Sequence, residues 1–341
     1  MRRFPAEWER QAAAMLAWPH PESDWGPRLS AIEKTYLELA HHILQHEALL
    51  VVCHDAAQRA ALSATFGTPP HPLFLRIVET DDTWVRDYGP ITVLEDGRPV
   101  ILDFRFNAWG GKYPGERDDQ VTARLCEAGA FGQTPCRHVS RVLEGGAIEG
   151  DGQGTLIANR PTLIDPLRNP GLTGHEMEEL LRRWLGIDRL LWLDIPPLTG
   201  DDTDGHVDTL VRFVAPDHLC FVACHDPDHP DHAALTALKE QLQCWRTATG
   251  QPYRLTPLPS PTPLHDEEGR TLPASYANFL ILDDAVLMPK YDVPQDAEAL
   301  QTLGACFPHR RILPVNGREL VRQRGGIHCA VMTLPHGLQL V

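Results

Sequence analysis

Cys329 stands in the run Arg324-Gly325-Gly326-Ile327-His328-Cys329. A thiol just behind two glycines has room around it. Glycine permits tight turns, leaves space for a ligand and can present amide N–H groups to a reacting centre. A nucleophilic cysteine also needs a base or a lowered pKa, and Asp204-Gly205-His206-Val207-Asp208 offers an imidazole and a carboxylate. On a strand His206 and Asp208 share one face, and the apolar, β-branched run Thr209-Leu210-Val211 predicts a strand there. The segment 81–90 adds Trp84 and Asp87 ahead of the turn signal Gly89-Pro90. Glu144, at the end of strand-like 140–143 and before Gly145-Gly146, is placed to orient the second nitrogen of His206. A solvated strand end is the other reading of Glu144. Cysteine, histidine and carboxylates drawn from distant stretches read as an assembled covalent-catalysis site.

The acids narrow the substrate. Two carboxylates beside one thiol do not help attack on a peptide carbonyl. They suit a guanidinium, whose paired N–H donors match carboxylate oxygens in a fork. Asp87 and Asp208 are therefore candidate clamps, and Trp84 a candidate wall acting by packing or cation–π contact. The competing role for Asp87 is an ion pair with Arg86 at a turn. A calcium loop over Asp202-Thr203-Asp204-Gly205 is excluded. With Gly205 in the sixth place, the first and twelfth places fall on Gly200 and Val211, and neither supplies a carboxylate. A metal module is the rival constellation: His218, Cys220, Cys224, His225, His229 and His232 crowd together, but without any CxxC pair. A Cys-His-Asp amidase is the rival enzyme class. The remaining Cys53, Cys126, Cys136, Cys244 and Cys306 read as small buried hydrophobes.

Positioning these residues requires a framework of helices and strands. Apolar residues at helical spacing predict a helix over 29–46, and further helices fit 56–66, 173–185, 233–247 and 296–303. Strands fit 48–53, 73–78, 155–158, 209–214, 219–223, 279–282 and 285–288. That is more strand per helix than simple βαβ winding gives, and it predicts an α/β fold. The prolines of 252–273 predict a long surface loop there. No composition break divides the 341 residues, so one catalytic domain over 1–341 is expected. The net charge of −15 argues against nucleic acid and is compatible with a cationic substrate. No apolar stretch is long enough to span a bilayer, and the N-terminal residues do not form a signal peptide. The eight cysteines lack the spacing of a disulfide framework, so reduced thiols in a cytoplasmic protein are expected. A homo-oligomer is left open.

Four runs of the chain together resemble the agmatine deiminases of the guanidine-modifying pentein superfamily. They are Trp84-Val85-Arg86-Asp87-Tyr88-Gly89-Pro90, Leu143-Glu144-Gly145-Gly146-Ala147-Ile148 with Asp151-Gly152-Gln153-Gly154-Thr155, Asp204-Gly205-His206-Val207-Asp208, and Gly325-Gly326-Ile327-His328-Cys329. The resemblance implies a five-bladed α/β propeller of ββαβ modules around a central site. It makes Cys329 the nucleophile, His206 the acid and base, Asp87 and Asp208 the guanidinium clamps, Glu144 the partner of His206, and Asp202 the acid that meets a distal amine. It implies no metal and no organic cofactor. The chain departs from the pattern after the thiol, where Ala330-Val331-Met332-Thr333 replaces a Thr-Gln-Gln type run. The surplus acids Asp201, Asp202 and Asp204 favour agmatine over free arginine, whose carboxylate needs a cationic partner. The missing signal peptide disfavours peptidyl-arginine.

Overall fold

The apolar spacing of the chain builds one winding five times. The computed structural model describes residues 1–341. In each winding an antiparallel pair of strands is followed by a helix that returns the chain to a parallel strand, the crossover that parallel pairing requires. The first comprises Ile91–Glu95, Arg98–Arg105, helix Val121–Glu127 and Cys136–Val142. The second comprises Ile148–Gly150, Thr155–Asn159, helix Gly174–Leu185 and Arg189–Leu193. The third comprises Val211–Ala215, His218–Ala223, helix His232–Cys244 and Arg254–Pro259. The fourth comprises Leu280–Ile281, Ala285–Lys290, helix Gln295–Cys306 and Arg311–Asn316. The fifth joins both ends of the chain. Val331–Pro335 pairs antiparallel with Gln11–Ala17, which leads through helix Leu29–His46 to parallel Leu49–Cys53 and on through Ala56–Phe66 to Leu73–Ile77.

The helices follow their sequence signals closely. Leu29–His46 buries the predicted stripe of Ile32, Tyr36, Leu39, Ala40, Ile43 and Leu44. Gly174–Leu185 begins at a reciprocal cap, in which Thr173 and Glu176 satisfy each other's backbone N–H groups. It ends at Gly186 with φ +70°, where a Cβ would lie 2.3 Å from the Arg2 carbonyl oxygen. Only glycine fits there.

Three expectations are corrected. The proline-rich stretch is not all loop, because Arg254–Pro259 pairs in parallel with His218–Ala223. It lies at the edge of its sheet, where a missing N–H leaves no ladder bond unmade. His206 and Asp208 are not on a strand: the strand starts at Val211, and Val207–Thr209 is a 3-10 turn. Of the five cysteines read as buried only Cys53 is: Cys126 and Cys306 are half-buried, and Cys136 and Cys244 are exposed. The buried strand Gln11–Ala17 gave no strand signal, since its alanines favour helix and only burial between neighbours makes it a strand.

One regularity places the chemistry. A tight turn precedes the first strand of every winding. These turns are Val85–Tyr88, Gly145–Ala147, Val207–Thr209, the turn closed by Asn278 N–H on the Ser275 carbonyl, and the turn closed by Val331 N–H on the His328 carbonyl. Asp87, Asp208 and Asn278 lie in three of them, Glu144 and His206 open two, and Cys329 lies in the last.

Candidate active site

The two glycines before Cys329 are there because neighbours occupy the space a side chain would need. A Cβ on Gly325 would lie 2.2 Å from the Trp84 ring, and one on Gly326 would lie 2.3 Å from Asn278 Oδ1. Trp84 is thereby packed onto the backbone that leads to the thiol. Asn278 accepts the His328 N–H at 2.9 Å and donates its own Nδ2 to Cys329 Sγ at 3.3 Å. The thiol is only 6 % exposed. Burial pushes it well above its ordinary pKa, and the charges of Asp208 and Asp87 push the same way. Of the two aids a nucleophilic cysteine can have, a lowered pKa or a base, the first is not met here. A positive charge beside Asp87 and Asp208 would favour the thiolate.

His206 is fully buried. Its Nε2 lies 2.7 Å from Glu144 Oε2, and its Nδ1 has no partner and lies 3.6 Å from Asp87 Oδ1. Burial alone would lower its pKa, but Asp87, Glu144 and Asp208 outweigh that and raise it to about 9. Glu144 is held in turn by Arg168, whose Nε donates at 2.8 Å and whose Nη1 reaches Asp165 and Asp204. Burial raises the Glu144 pKa, and the Arg168 and His206 interactions override it, so the net shift is downward. The strand-end reading of Glu144 is excluded by its burial, 1 % exposed.

Asp87 is fixed from two sides. Trp109 Nε1 donates to its Oδ2 and the Gly146 N–H to its Oδ1, both at 2.9 Å. Burial and two like charges raise its pKa to about 6 against the pull of His206. Its neighbour Arg86 turns away and pairs with Glu7, which removes the expected competitor for Asp87. Asp208 Oδ2 faces His328 Nδ1 at 2.7 Å, and the other nitrogen of His328 faces Glu7 at 2.6 Å. Burial works against the Asp208 charge, but His328 and His206 hold its pKa low. Its Oδ1 is buried and unpartnered.

Gly146 marks the convergence. A Cβ there would lie 2.6 Å from His206 Nδ1, 2.9 Å from Asp87 Oδ1 and 3.1 Å from Asp208 Oδ2. Above these groups opens a cleft of about 170 Å³, with Cys329 and Asp87 in its lining together with Trp84, Trp109, Tyr113 and Asp202. Asp24, Asp82 and Arg324 line the same cleft. Asp202 accepts the Tyr113 hydroxyl at 2.7 Å and lies 3.8 Å from Arg324 Nε. All seven residues singled out in the sequence, Cys329, His206, Asp87, Asp208, Glu144, Trp84 and Asp202, thus meet at this site or its immediate wall.

Sequence reasoning missed four contributors: Trp109, Asn278, Arg168 and Glu7. Trp109 was findable, since it precedes Gly110-Gly111 and all three take positive φ. Nothing near Asn278 or Glu7 in the chain marks either. The crowded His/Cys stretch does not gather into one centre. Only His218 and Cys220 come together, with Cys306 from the fourth winding, while His229 bonds to the Asp231 N–H and faces Ser260.

The fold and the site have clear relatives. The family model described as Porphyromonas-type peptidyl-arginine deiminase matches residues 3–335. The agmatine deiminase of Ectopseudomonas mendocina (strain ymp) is 34 % identical over 97 % of this chain and 95 % of its own. A solved structure of C. jejuni agmatine deiminase, a cysteine-to-serine variant with substrate bound, superposes with TM-score 0.92 at 31 % identity, covering 99 % and 98 % of the two chains. The Enterococcus faecalis agmatine deiminase superposes with TM-score 0.85 at 29 % identity, covering 98 % and 96 %.

Proposed function

Because the chain belongs to the Porphyromonas-type peptidyl-arginine deiminase family, we propose that its site hydrolyses the guanidinium of agmatine to N-carbamoylputrescine and ammonia. The observation that carries this reading is that two buried polar atoms of the site, Asp208 Oδ1 and His206 Nδ1, both lack a partner. An orphaned carboxylate oxygen at this depth calls for N–H donors, and a planar cation between Asp87 and Asp208 supplies them.

Each residue then has a task. Asp87 and Asp208 bind the guanidinium and hold its carbon against Cys329, a gain in proximity and in charge complementarity. The arriving positive charge offsets the two aspartates that keep the thiol protonated, and Cys329 gives its proton to solvent. Its sulfur bonds to the guanidinium carbon. Protonated His206 gives its proton to the departing nitrogen, the C–N bond breaks, and ammonia leaves a thiouronium on Cys329. Neutral His206 then takes a proton from water as the water oxygen bonds to the same carbon. The C–S bond breaks as the C=O forms, the hydroxyl proton passes to the departing sulfur to restore the thiol, and the ureido product is freed. Glu144, tied to Arg168, holds the His206 ring in line. Trp84 walls the slot, and Asp202 lines it as a candidate to meet the distal amine. The residues do this without a metal or organic cofactor.

The distal end selects agmatine within the class. A substrate carboxylate would need Arg324, whose guanidinium already donates to the Gly200 carbonyl at 2.7 Å and faces Asp202. The acids Asp24, Asp82 and Asp202 match a second amine instead. On the same reading the chain is one catalytic domain over 1–341, and its five windings close around the site as the blades of a propeller. The pairing of Val331–Pro335 with Gln11–Ala17 supports that closure. All eight cysteines are free, which supports a cytoplasmic home, and no helix is long and apolar enough to cross a membrane. Ammonia release measured over agmatine, arginine and a peptidyl-arginine tests the assignment. Turnover confined to agmatine is expected; preferred turnover of either other guanidine overturns the substrate and keeps the reaction, and no release from any overturns both.

A further inference from the structure

Outside the site, two thiols from different windings face each other. Cys220 lies on His218–Ala223 and is fully buried, and Cys306 is the last residue of helix Gln295–Cys306 and is partly exposed. Their sulfurs are 3.2 Å apart. We propose that Cys220 and Cys306 form an oxidation site, closing to a disulfide when the protein meets a hydroperoxide.

The surroundings divide the work between the two sulfurs. Cys220 S–H donation lowers the Cys306 pKa, burial opposes this, and the Thr256 hydroxyl and the Arg254 guanidinium support it. The same hydrogen bond, with burial, raises Cys220 well above its ordinary value. Cys306, the partly exposed sulfur and the one whose pKa is lowered, is thus the attacking thiol, its proton leaving with the peroxide oxygen, and buried Cys220 is the resolving thiol. Cys306 sulfur attacks the peroxide, the O–O bond breaks, Cys306 becomes a sulfenic acid and the alcohol or water leaves. Cys220 sulfur then attacks Cys306 sulfur, the S–O bond breaks, and the sulfenic oxygen departs as water with the Cys220 proton. Two thiols are oxidised and one peroxide is reduced. The sulfurs need to approach by only about 1.2 Å to bond.

The same three residues, His218, Cys220 and Cys306, also have a spacing that could suit a metal. The imidazole argues for oxidation instead. His218 Nδ1 accepts from Arg254 at 2.6 Å, which leaves Nε2 to donate to Thr256 Oγ1 at 2.7 Å. Both ring nitrogens are taken, and a guanidinium beside the sulfurs repels a dication while favouring a thiolate.

The disulfide would brace the site. The third winding follows the turn of Asp208, the fourth follows Asn278, and both residues touch Cys329 sulfur. Cys329 itself is buried and held protonated, so it reacts with the oxidant more slowly than Cys306.

The test exposes the whole protein to sub-millimolar hydrogen peroxide, alkylates it, and follows intact mass, peptide maps and ammonia release from agmatine. The expected result is a loss of about 2 Da before alkylation and two fewer alkyl groups after it, a peptide joining Cys220 to Cys306, reversal by dithiothreitol, and retained ammonia release during this first phase. Mass and mapping report on the pair even if agmatine proves not to be the substrate. Cys306→Ser should abolish the joined peptide, and Cys220→Ala should leave Cys306 to accumulate as its sulfenic acid. A disulfide that forms to the same extent in Cys306→Ser, joining other cysteines, overturns the proposal. So does oxidation of Cys329 before the pair, or a stoichiometric zinc that must be chelated before the pair reacts.

Discussion

At the residue scale the site is a set of charges that only a cation completes. Asp87, Asp208 and Glu144 gather about one imidazole, and burial with Asp208 and Asp87 raises the pKa of the thiol; on the proposed mechanism the substrate's positive charge offsets them. Cys329→Ala should therefore abolish ammonia release with the fold intact. Mass spectrometry of a stalled wild-type reaction should find the substrate adduct on Cys329, and an adduct elsewhere sinks the assignment. Asp87→Asn and Asp208→Asn keep shape and remove one charge each. Breaking one side of a buried charge pair costs about 3–5 kcal/mol, so kcat/KM should fall by roughly a few hundred-fold or more. Steady-state kinetics with circular dichroism decide this, and a folded variant with near-normal kcat/KM removes that aspartate from the clamp. Gly146→Ala would put its methyl into the space among His206, Asp87 and Asp208. Misplacing reacting groups by about 1 Å can cost on the order of a hundred-fold in rate, and kcat should drop by at least that much while the protein still folds.

At the element scale the recurring device is a tight turn opening onto a strand. Each turn is held by hydrogen bonds from the neighbouring turns, as when the Gly146 N–H fixes Asp87 and Asn278 fixes Cys329. The helices stand behind the strands and set stability rather than chemistry. Thr173→Ala removes the cap of Gly174–Leu185 and should lower stability by about 1 kcal/mol, read by urea denaturation. The kcat of this variant should stay that of the wild type; a loss of activity beyond its loss of folded protein would show that the helix reaches the site. The helices were the elements most legible in the chain, because an apolar stripe at period 3.6 and a capping residue are local signals. Gln11–Ala17 and Arg254–Pro259 were not legible, since alanine and proline disfavour strands and only their sheet partners hold them there.

At the scale of the whole molecule, the buried charges couple folding to pH. His206 has a folded pKa raised to about 9 from 6.5. Its contribution is fully present below pH 6.5 and is lost as pH rises through 9, amounting to on the order of 3 kcal/mol. Asp87, raised to about 6 from 3.8, runs the same way in a more acidic window: its contribution is present below pH 3.8 and lost as pH rises through 6. Stability measured by denaturant between pH 6.5 and 9 should fall in the wild type and fall less steeply in His206→Asn. Equal slopes would show that His206 is not the charged group. The alkaline limb of kcat/KM should also lie near pH 9, where His206 loses the proton that the leaving nitrogen needs.

The sequence by itself determined the chemistry and most of the helices. The types of Cys329, His206, Asp87, Asp208 and Glu144, their glycine neighbours and the order of their motifs are local facts, and they sufficed to point to a thiol acting on a guanidinium. Only the tertiary structure decided how those groups behave. The turn geometry of His206 and Asp208 comes from packing against neighbouring turns, where the sequence pattern predicted a strand. The raised pKa of Cys329 comes from burial among acids that lie up to hundreds of residues away in the chain. Asn278, Arg168 and Glu7 are brought to the site by the fold alone, and distance between remote residues is a property of the fold. Five windings bring their leading turns together, and charge, desolvation and orientation exist only once they meet.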